Sequence, residues 1–377
     1  MQTIAGIHFN FSLPDTFWEL YKEFLKSDMP LKDFKTEHYF SLIRNFRRYS
    51  WLLLYLFGAS PAVCKSFLRG NTDHTLESYD KGTFYLPHAT CLRMGDLGYT
   101  SNAQAGLYVS YNNLDEYASN LTAAIKTPYA PYSKFAPENG EYKQLNDGTL
   151  QIENEFYSTI RPKRTAPTGT KPVNVLKEDG VEYIEVRCLD LNPFLSVGID
   201  EEEINFLNSF LLFCLLRNSP PSDNAEYKEI DDNLKTVVNR GREPGLELMH
   251  QGNAIPLSNW AAEILKETSA IAKLMDEIHQ HDAHSSATAA QLAKVTDSSL
   301  TPSAKVLQRM DELKTHYFHF AMNQSLANSD YFRALNLDDA SMVTLKEMSD
   351  KSNQDRQAIE KTDTEDFDSF LKRMNAD

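Results

Sequence analysis

The chain has 377 residues with 38 Lys+Arg against 53 Asp+Glu, a formal net charge of −15, and it is 41% hydrophobic and 11% aromatic. That is ordinary globular composition: too long for a disulfide-stapled miniprotein and too aromatic for a disordered segment. The acidic balance excludes a generic nucleic-acid or anionic-membrane binder, which needs a basic surface, but leaves room for a local basic pocket.

The N-terminal stretch MQTIAGIHFNFSLPD lacks a charged n-region and a long apolar core, so it does not read as a secretory signal. It alternates instead. Ala5, Ile7, Phe9, Phe11 and Leu13 share one face, and His8, Asn10 and Ser12 the other, with Gln2 further up. Period two predicts a strand with one face in the core and the other solvated or lining a pocket. Pro14 and Asp15 end it and open a helix over about Thr16–Leu25; a second helix is predicted from Thr36 to Phe57.

A Gly58–Pro61 turn and a short helix to Leu68 follow, with strands at 83–87 and 106–112. Thr127–Tyr132 reads as a Pro/Tyr-rich loop, and Asn139-Gly140 and Asp147-Gly148 as turns. The two clearest strands are Leu150–Tyr157 and Val181–Leu189, separated by Arg161-Pro162-Lys163-Arg164 and a Thr/Pro/Gly-rich loop. From Asp200 the period becomes helical. Asp200 caps an acidic first turn, Glu201–Glu203, of a helix to about Arg217. Further helices are predicted over 258–281 and 301–323, and the charged tail reads as a surface helix anchored by Phe367, Phe370 and Leu371. No repeat or long linker appears. One domain over 1–377 is expected, sheet-bearing in 1–199, mostly helical in 200–345, with a charged tail at 346–377.

Strand 181–189 puts Tyr183, Glu185 and Arg187 on one face. This is either a cross-strand ion pair on a wet sheet or a metal-binding carboxylate beside a phosphate-binding guanidinium. Arg161, Lys163 and Arg164 form either a solvated turn or a phosphate clamp. No P-loop or GxGxxG is present, so a Walker ATPase and a Rossmann dinucleotide binder are unsupported. The histidines of HQHDAH (His279, His281, His284) resemble a metal tract, but a helix C-terminus favours imidazolium there anyway. The four cysteines, Cys64, Cys91, Cys188 and Cys214, form no CxxC and read as reduced thiols.

The segments MQTIAGIHFNFSLPDTFW, YLFGASPAVCKSFL, CLRMGDLGYTS, LQIENEFYSTIRPKR and VEYIEVRCLDLNPFLSVGID, in that order, resemble glutamate–cysteine ligase of the proteobacterial type. The resemblance implies an α+β fold of the glutamine-synthetase-like kind, an antiparallel sheet flanked by helices and N-terminally incomplete. It implies a cytoplasmic enzyme in which ATP phosphorylates the γ-carboxylate of L-glutamate and the amine of L-cysteine attacks the acyl phosphate. The product, γ-glutamylcysteine, is the first intermediate of glutathione synthesis. By resemblance, His8 and Glu185 are ligands of Mg²⁺ (or Mn²⁺), and Arg187 stabilises the transferring phosphoryl group. Arg93 holds the glutamate carboxylate; Gln2, Tyr99 and Tyr157 form the cysteine side; Asn10, Asn154, Arg161 and Lys163 contact the nucleotide. Simple alternation sets Asn154 opposite Tyr157, so a bulge or sheet edge has to reconcile them. No nucleic acid and no membrane are implied as partners. The resemblance also implies a preceding segment rich in metal-binding acids. The expectation from it is that these 377 residues alone are inactive or nearly so, a fragment or non-catalytic remnant of such a ligase.

Overall fold

The computed structural model describes residues 5–68, 74–98, 101–135, 141–167 and 169–375. The backbone divides into two compact units, Met1–Met322 and Asn323–Asp377.

The first unit opens with β1 (Ile7–Phe11), which exposes His8 and Asn10 and buries Phe11, as the alternation predicts. Helix α1 (Asp15–Phe24) buries Trp18 against Tyr39, ring centroids 4.8 Å apart. Helix α2 (Leu31–Phe57) starts five residues earlier than predicted, because Pro30 sits just ahead of the first turn, where a missing N–H costs nothing. From Tyr39 onward α2 is mostly buried and forms the spine of the unit. A small antiparallel sheet follows, β2 (Ala62–Cys64), β3 (Glu77–Ser78) and β4 (Thr83–Tyr85) in the order β2-β4-β3.

Two predicted strands are not strands. Residues 107–111 have no ladder; Asn120 Oδ1 takes the Ser110 N–H at 2.8 Å, and Arg44 binds the carbonyl of Asn112 at 2.7 Å. Residues 150–157 hold a 3₁₀ turn at Glu153–Glu155. Here side chains compete for the backbone: Glu155 takes the Gln151 N–H at 2.8 Å, and Gln104 takes that of Tyr157 at 3.0 Å. The conflict between the faces of Asn154 and Tyr157 disappears with the strand. Between these segments lies α3 (Leu114–Lys126), capped by Asn113.

The stretch Arg161-Pro162-Lys163, placed by the sequence between two strands, belongs to a strand itself. β5 (Ile160–Lys163) pairs antiparallel with β6 (Tyr183–Leu189), and Pro162 is tolerated because β5 is an edge. Helix α4 (Pro172–Asp179) fills the expected loop between them. The sheet order is β1-β6-β5. Its apolar face (Phe9, Phe11, Ile160, Ile184, Val186) joins the same core as α2.

Helix α5 (Glu201–Leu216) is capped by Asp200 as predicted, followed by α6 (Asn224–Arg240) and the hairpin β7 (Glu247–His250) and β8 (Asn253–Pro256). Helices α7 (Leu257–His279), α8 (Ala283–Thr296) and α9 (Pro302–Leu313) complete the helical layer. The helix predicted over 301–323 breaks at Lys314, which is left-handed at φ 47°, before α10 (Tyr317–Ala334) begins. The second unit continues with α11 (Asp339–Thr362) and α12 (Phe367–Asn375), in which Leu371 is buried and Phe367 exposed. Among the described residues, no helix is long and apolar enough to cross a membrane.

Candidate active site

The register of the β1-β6-β5 sheet brings side chains from three distant segments onto one polar face. Glu185 on the central strand pairs with Asn10 on β1 and with Arg161 on β5. Between Phe9↔Val186 and Ile7↔Leu189, one residue of β1, His8, faces two of β6, a bulge at Arg187-Cys188.

Glu185 is the hub of this face. Its carboxylate lies 3.6 Å from His8 Nδ1, 3.5 Å from Arg187 Nε and 4.0 Å from Lys163 Nζ, with the carboxylate side chain largely buried. Burial pulls the His8 pKa below its ordinary value; Glu185 opposes this, while Arg187, Arg161 and Arg93 reinforce it. The imidazole is therefore mostly neutral at pH 7, the state in which it can offer a lone pair. Arg161 is buried and donates to the carbonyl of Asn154 at 2.9 Å and to that of Phe156; its Nε finds no hydrogen-bond partner among the described residues.

The nucleotide candidates lie in adjoining spaces. Asn154, Arg161 and Lys163 line one cavity of about 270 Å³ together with Glu153, Arg164 and Tyr183. Asn10 lines an open groove that shares Arg164, Thr165 and Tyr183 with it.

Arg93 sits past the other end of β6 and is held rigidly. Its Nε donates to Asp190 Oδ1 at 2.7 Å and one NH₂ to the carbonyl of Leu189 at 2.8 Å. Asp190 Oδ2 in turn accepts from Ala59 N–H at 2.8 Å and Ser60 Oγ at 2.7 Å. Burial works against the guanidinium, but Asp190 more than offsets it and raises the Arg93 pKa. The guanidinium lies against the backbone of Gly6, where a Cβ would stand 2.6 Å from Cζ. Only glycine permits that approach. Arg93 and Asp190 line a cavity of about 350 Å³, otherwise mostly apolar, with Ala59, Leu92, Leu97 and Tyr317.

Tyr157 lines a separate cavity of about 340 Å³ with Thr159, Tyr111, Tyr227, Arg47 and Asp231. The backbone joins it to the polar face, because the Arg187 N–H donates to the Thr159 carbonyl at 2.8 Å. Gln2 and Tyr99 lie outside the described residues. Sequence reasoning missed Asp190 and the Arg47–Asp231 pair. Arg47 stacks 4.2 Å over the Tyr227 ring and lies 3.9 Å from Asp231. A guanidinium on the buried face of a long helix was the signal available for it; Asp190 carried none.

A carboxylate, a neutral imidazole and three cations (Arg161, Lys163 and Arg187) on one sheet face suit a polyanionic reactant. The family model for glutamate-cysteine ligase matches residues 1–237. A glutamate–cysteine ligase of Pseudomonas fluorescens is 49% identical over the whole of this chain and 71% of its own length. One of Pseudomonas putida is 50% identical over the whole chain and 72% of its own length. The chain belongs to the glutamate–cysteine ligase family. It is therefore a ligase.

The crystal structure of the Francisella tularensis glutamate–cysteine ligase, solved in complex with AMP, superposes with a TM-score of 0.89 at 34% identity, covering 98% of this chain and 72% of that one. The α+β architecture is thus that of glutamate–cysteine ligase. A bifunctional glutathione synthetase of Pasteurella multocida shares the fold at a TM-score of 0.61 and 21% identity, over 87% of this chain and 36% of its own.

Proposed function

We propose that this chain makes γ-glutamylcysteine, the opening step of glutathione synthesis, with ATP, L-glutamate and L-cysteine as substrates, and that the polar face of β1-β6-β5 is where the phosphoryl group is transferred. The observation that carries the reading is the convergence of His8, Asn10, Arg161, Lys163, Glu185 and Arg187 on one face of a glutamate–cysteine ligase fold. An enzyme that uses ATP in this way belongs in the cytoplasm.

A γ-carboxylate attacks a terminal phosphate, so two anions must be brought together and their charge neutralised. Arg187 is the group for the transferring phosphoryl: it is planar and cationic, and the ion pair to Glu185 aims it. Arg161 and Lys163 bind the remaining phosphates, and Asn10 and Asn154 contact the nucleoside. Arg93, fixed by Asp190 and Gly6, holds the glutamate carboxylate in its cavity. Tyr157, with Gln2 and Tyr99, forms the side from which the cysteine amine displaces phosphate from the acyl phosphate.

The donor set suits a divalent cation that arrives with the nucleotide. One carboxylate and one neutral imidazole, 3.6 Å apart and flanked by cations, are too few for an all-protein Mg²⁺ cage. They suffice where phosphate oxygens complete the shell. Glu185 and His8 would hold the ion, and it would supply charge neutralisation of the phosphates.

The test is ADP release by the purified chain with glutamate and each of several amino acids as acceptor. The reading expects any release to need both glutamate and cysteine. Equal or better release with another amine would overturn the cysteine assignment, and failure to bind ATP at all would overturn the reading.

A further inference from the structure

The connection between α7 and α8 gathers a carboxylate and three imidazoles away from the polar sheet face. The Asp276, His281 and His284 ligand atoms all lie within 4.8 Å of one another. Asp276 Oδ1 is 3.1 Å from His281 Nδ1 and accepts the His284 backbone N–H at 3.0 Å, and Oδ2 accepts that of Ser285 at 2.8 Å. The His279 ring stacks on His281, with centroids 5.6 Å apart and planes at 13°.

Capping of α8 accounts for the carboxylate and in part for His281, whose Nδ1 accepts the Ala283 N–H at 3.3 Å, but not for His284 or His279. His284 is buried, and its Nδ1 lies 3.0 Å from the Asn205 carbonyl. An Nδ1–H donated to a backbone carbonyl leaves the Nε2 lone pair for a metal, the orientation that metal-bound histidines usually adopt. Around Asp276, the residues Glu277, Gln280 and Asp282 complete a shallow, mostly acidic depression.

We propose that the α7–α8 corner binds one d-block divalent cation of the zinc class through Asp276, His281 and His284, with His279 alongside. Two imidazoles and a carboxylate are a borderline donor set, too rich in nitrogen for Mg²⁺ and well suited to Zn²⁺. Donors in a tetrahedral Zn²⁺ shell at about 2.0–2.1 Å stand about 3.4 Å apart, so the site closes slightly on the ion. His281 is the most exposed member: its side chain is 42% exposed and lies between the two helices. The bound ion would pin the end of α7 to the start of α8. From sequence the HQHDAH tract reads as imidazolium at a helix C-terminus; Asp276, three residues upstream of His279, lies outside that tract.

The experiment is a Zn²⁺ titration of the metal-stripped full chain against a chromophoric chelator, with Mg²⁺ saturating to cover hard-cation sites. Wild type and His281→Ala are compared, with His281→Gln as a second variant. The proposal expects wild type to bind one Zn²⁺ equivalent more than either variant. It also expects a visible d–d band on Co²⁺ loading, and a Zn²⁺-dependent rise in Tm, that both variants lack. Equal stoichiometry and affinity in wild type and variants, or no Zn²⁺ binding by wild type, would overturn it. Neither result bears on the polar sheet face, whose residues are separate.

Discussion

Gly6 and Glu203 show what single positions are asked to do. A methyl group at Gly6 would collide with the Arg93 guanidinium at 2.6 Å, so Gly6→Ala has to push Arg93 off its bonds to Asp190 and Leu189. The expected result is a rise of about tenfold or more in the glutamate KM, with a smaller change in that for ATP, read by steady-state kinetics. Glu203, in α5, is buried, and its Oε1 finds no hydrogen-bond partner among the described residues. Burial, reinforced by Asp200, Asp190 and Glu202 and opposed by Lys294, pushes its pKa up to about 8. A folded-state pKa above the unfolded value means that the native state holds the extra proton. Its contribution is full below about pH 4.5 and is lost as pH rises towards 8. Glu203→Gln removes the ionisation. Its Tm should exceed that of wild type by a few degrees at pH 8, and the gap should close by pH 5; a gap that widened towards low pH would contradict this assignment.

Helices and strands differ in how openly the chain declares them. The Asp200–Glu203 signature is local, and the structure realises it: Asp200 Oδ1 accepts the Glu203 N–H at 2.9 Å. Asp200→Ala should cost about 1 kcal/mol, measured by chemical denaturation, and an unchanged midpoint would show that the cap is dispensable. β1 and β6 were legible because both alternate, and their alternation put His8, Asn10, Glu185 and Arg187 on polar faces before any pairing was known. Leu150–Tyr157 alternates just as well and forms no strand, because Glu155 and Gln104 satisfy its backbone from side chains, a competition invisible to periodicity. Helices α3, α4, α6 and α8 were passed over, the first despite its Asn113 cap and the second because its Thr/Pro/Gly-rich approach reads as a loop. Arg161 and Lys163 were legible as cations but not as members of a ladder, since Pro162 between them argues against any but an edge strand.

Across the molecule, the site depends on pairings that no local pattern encodes. Asn10 meets Glu185 across 175 positions, and Arg93 meets Asp190 across 97, so the candidate residues were recognisable by type while their partners were not. The account stands on Glu185 as the group that ties nucleotide phosphate and divalent cation to the polar face. The measurement that tests it most directly is ATP affinity as a function of Mg²⁺, by isothermal titration, for wild type and Glu185→Gln. Wild type should gain affinity as Mg²⁺ is added, and the variant should lose about tenfold or more of that gain while keeping its Tm. An identical Mg²⁺ dependence in the two proteins would contradict the account.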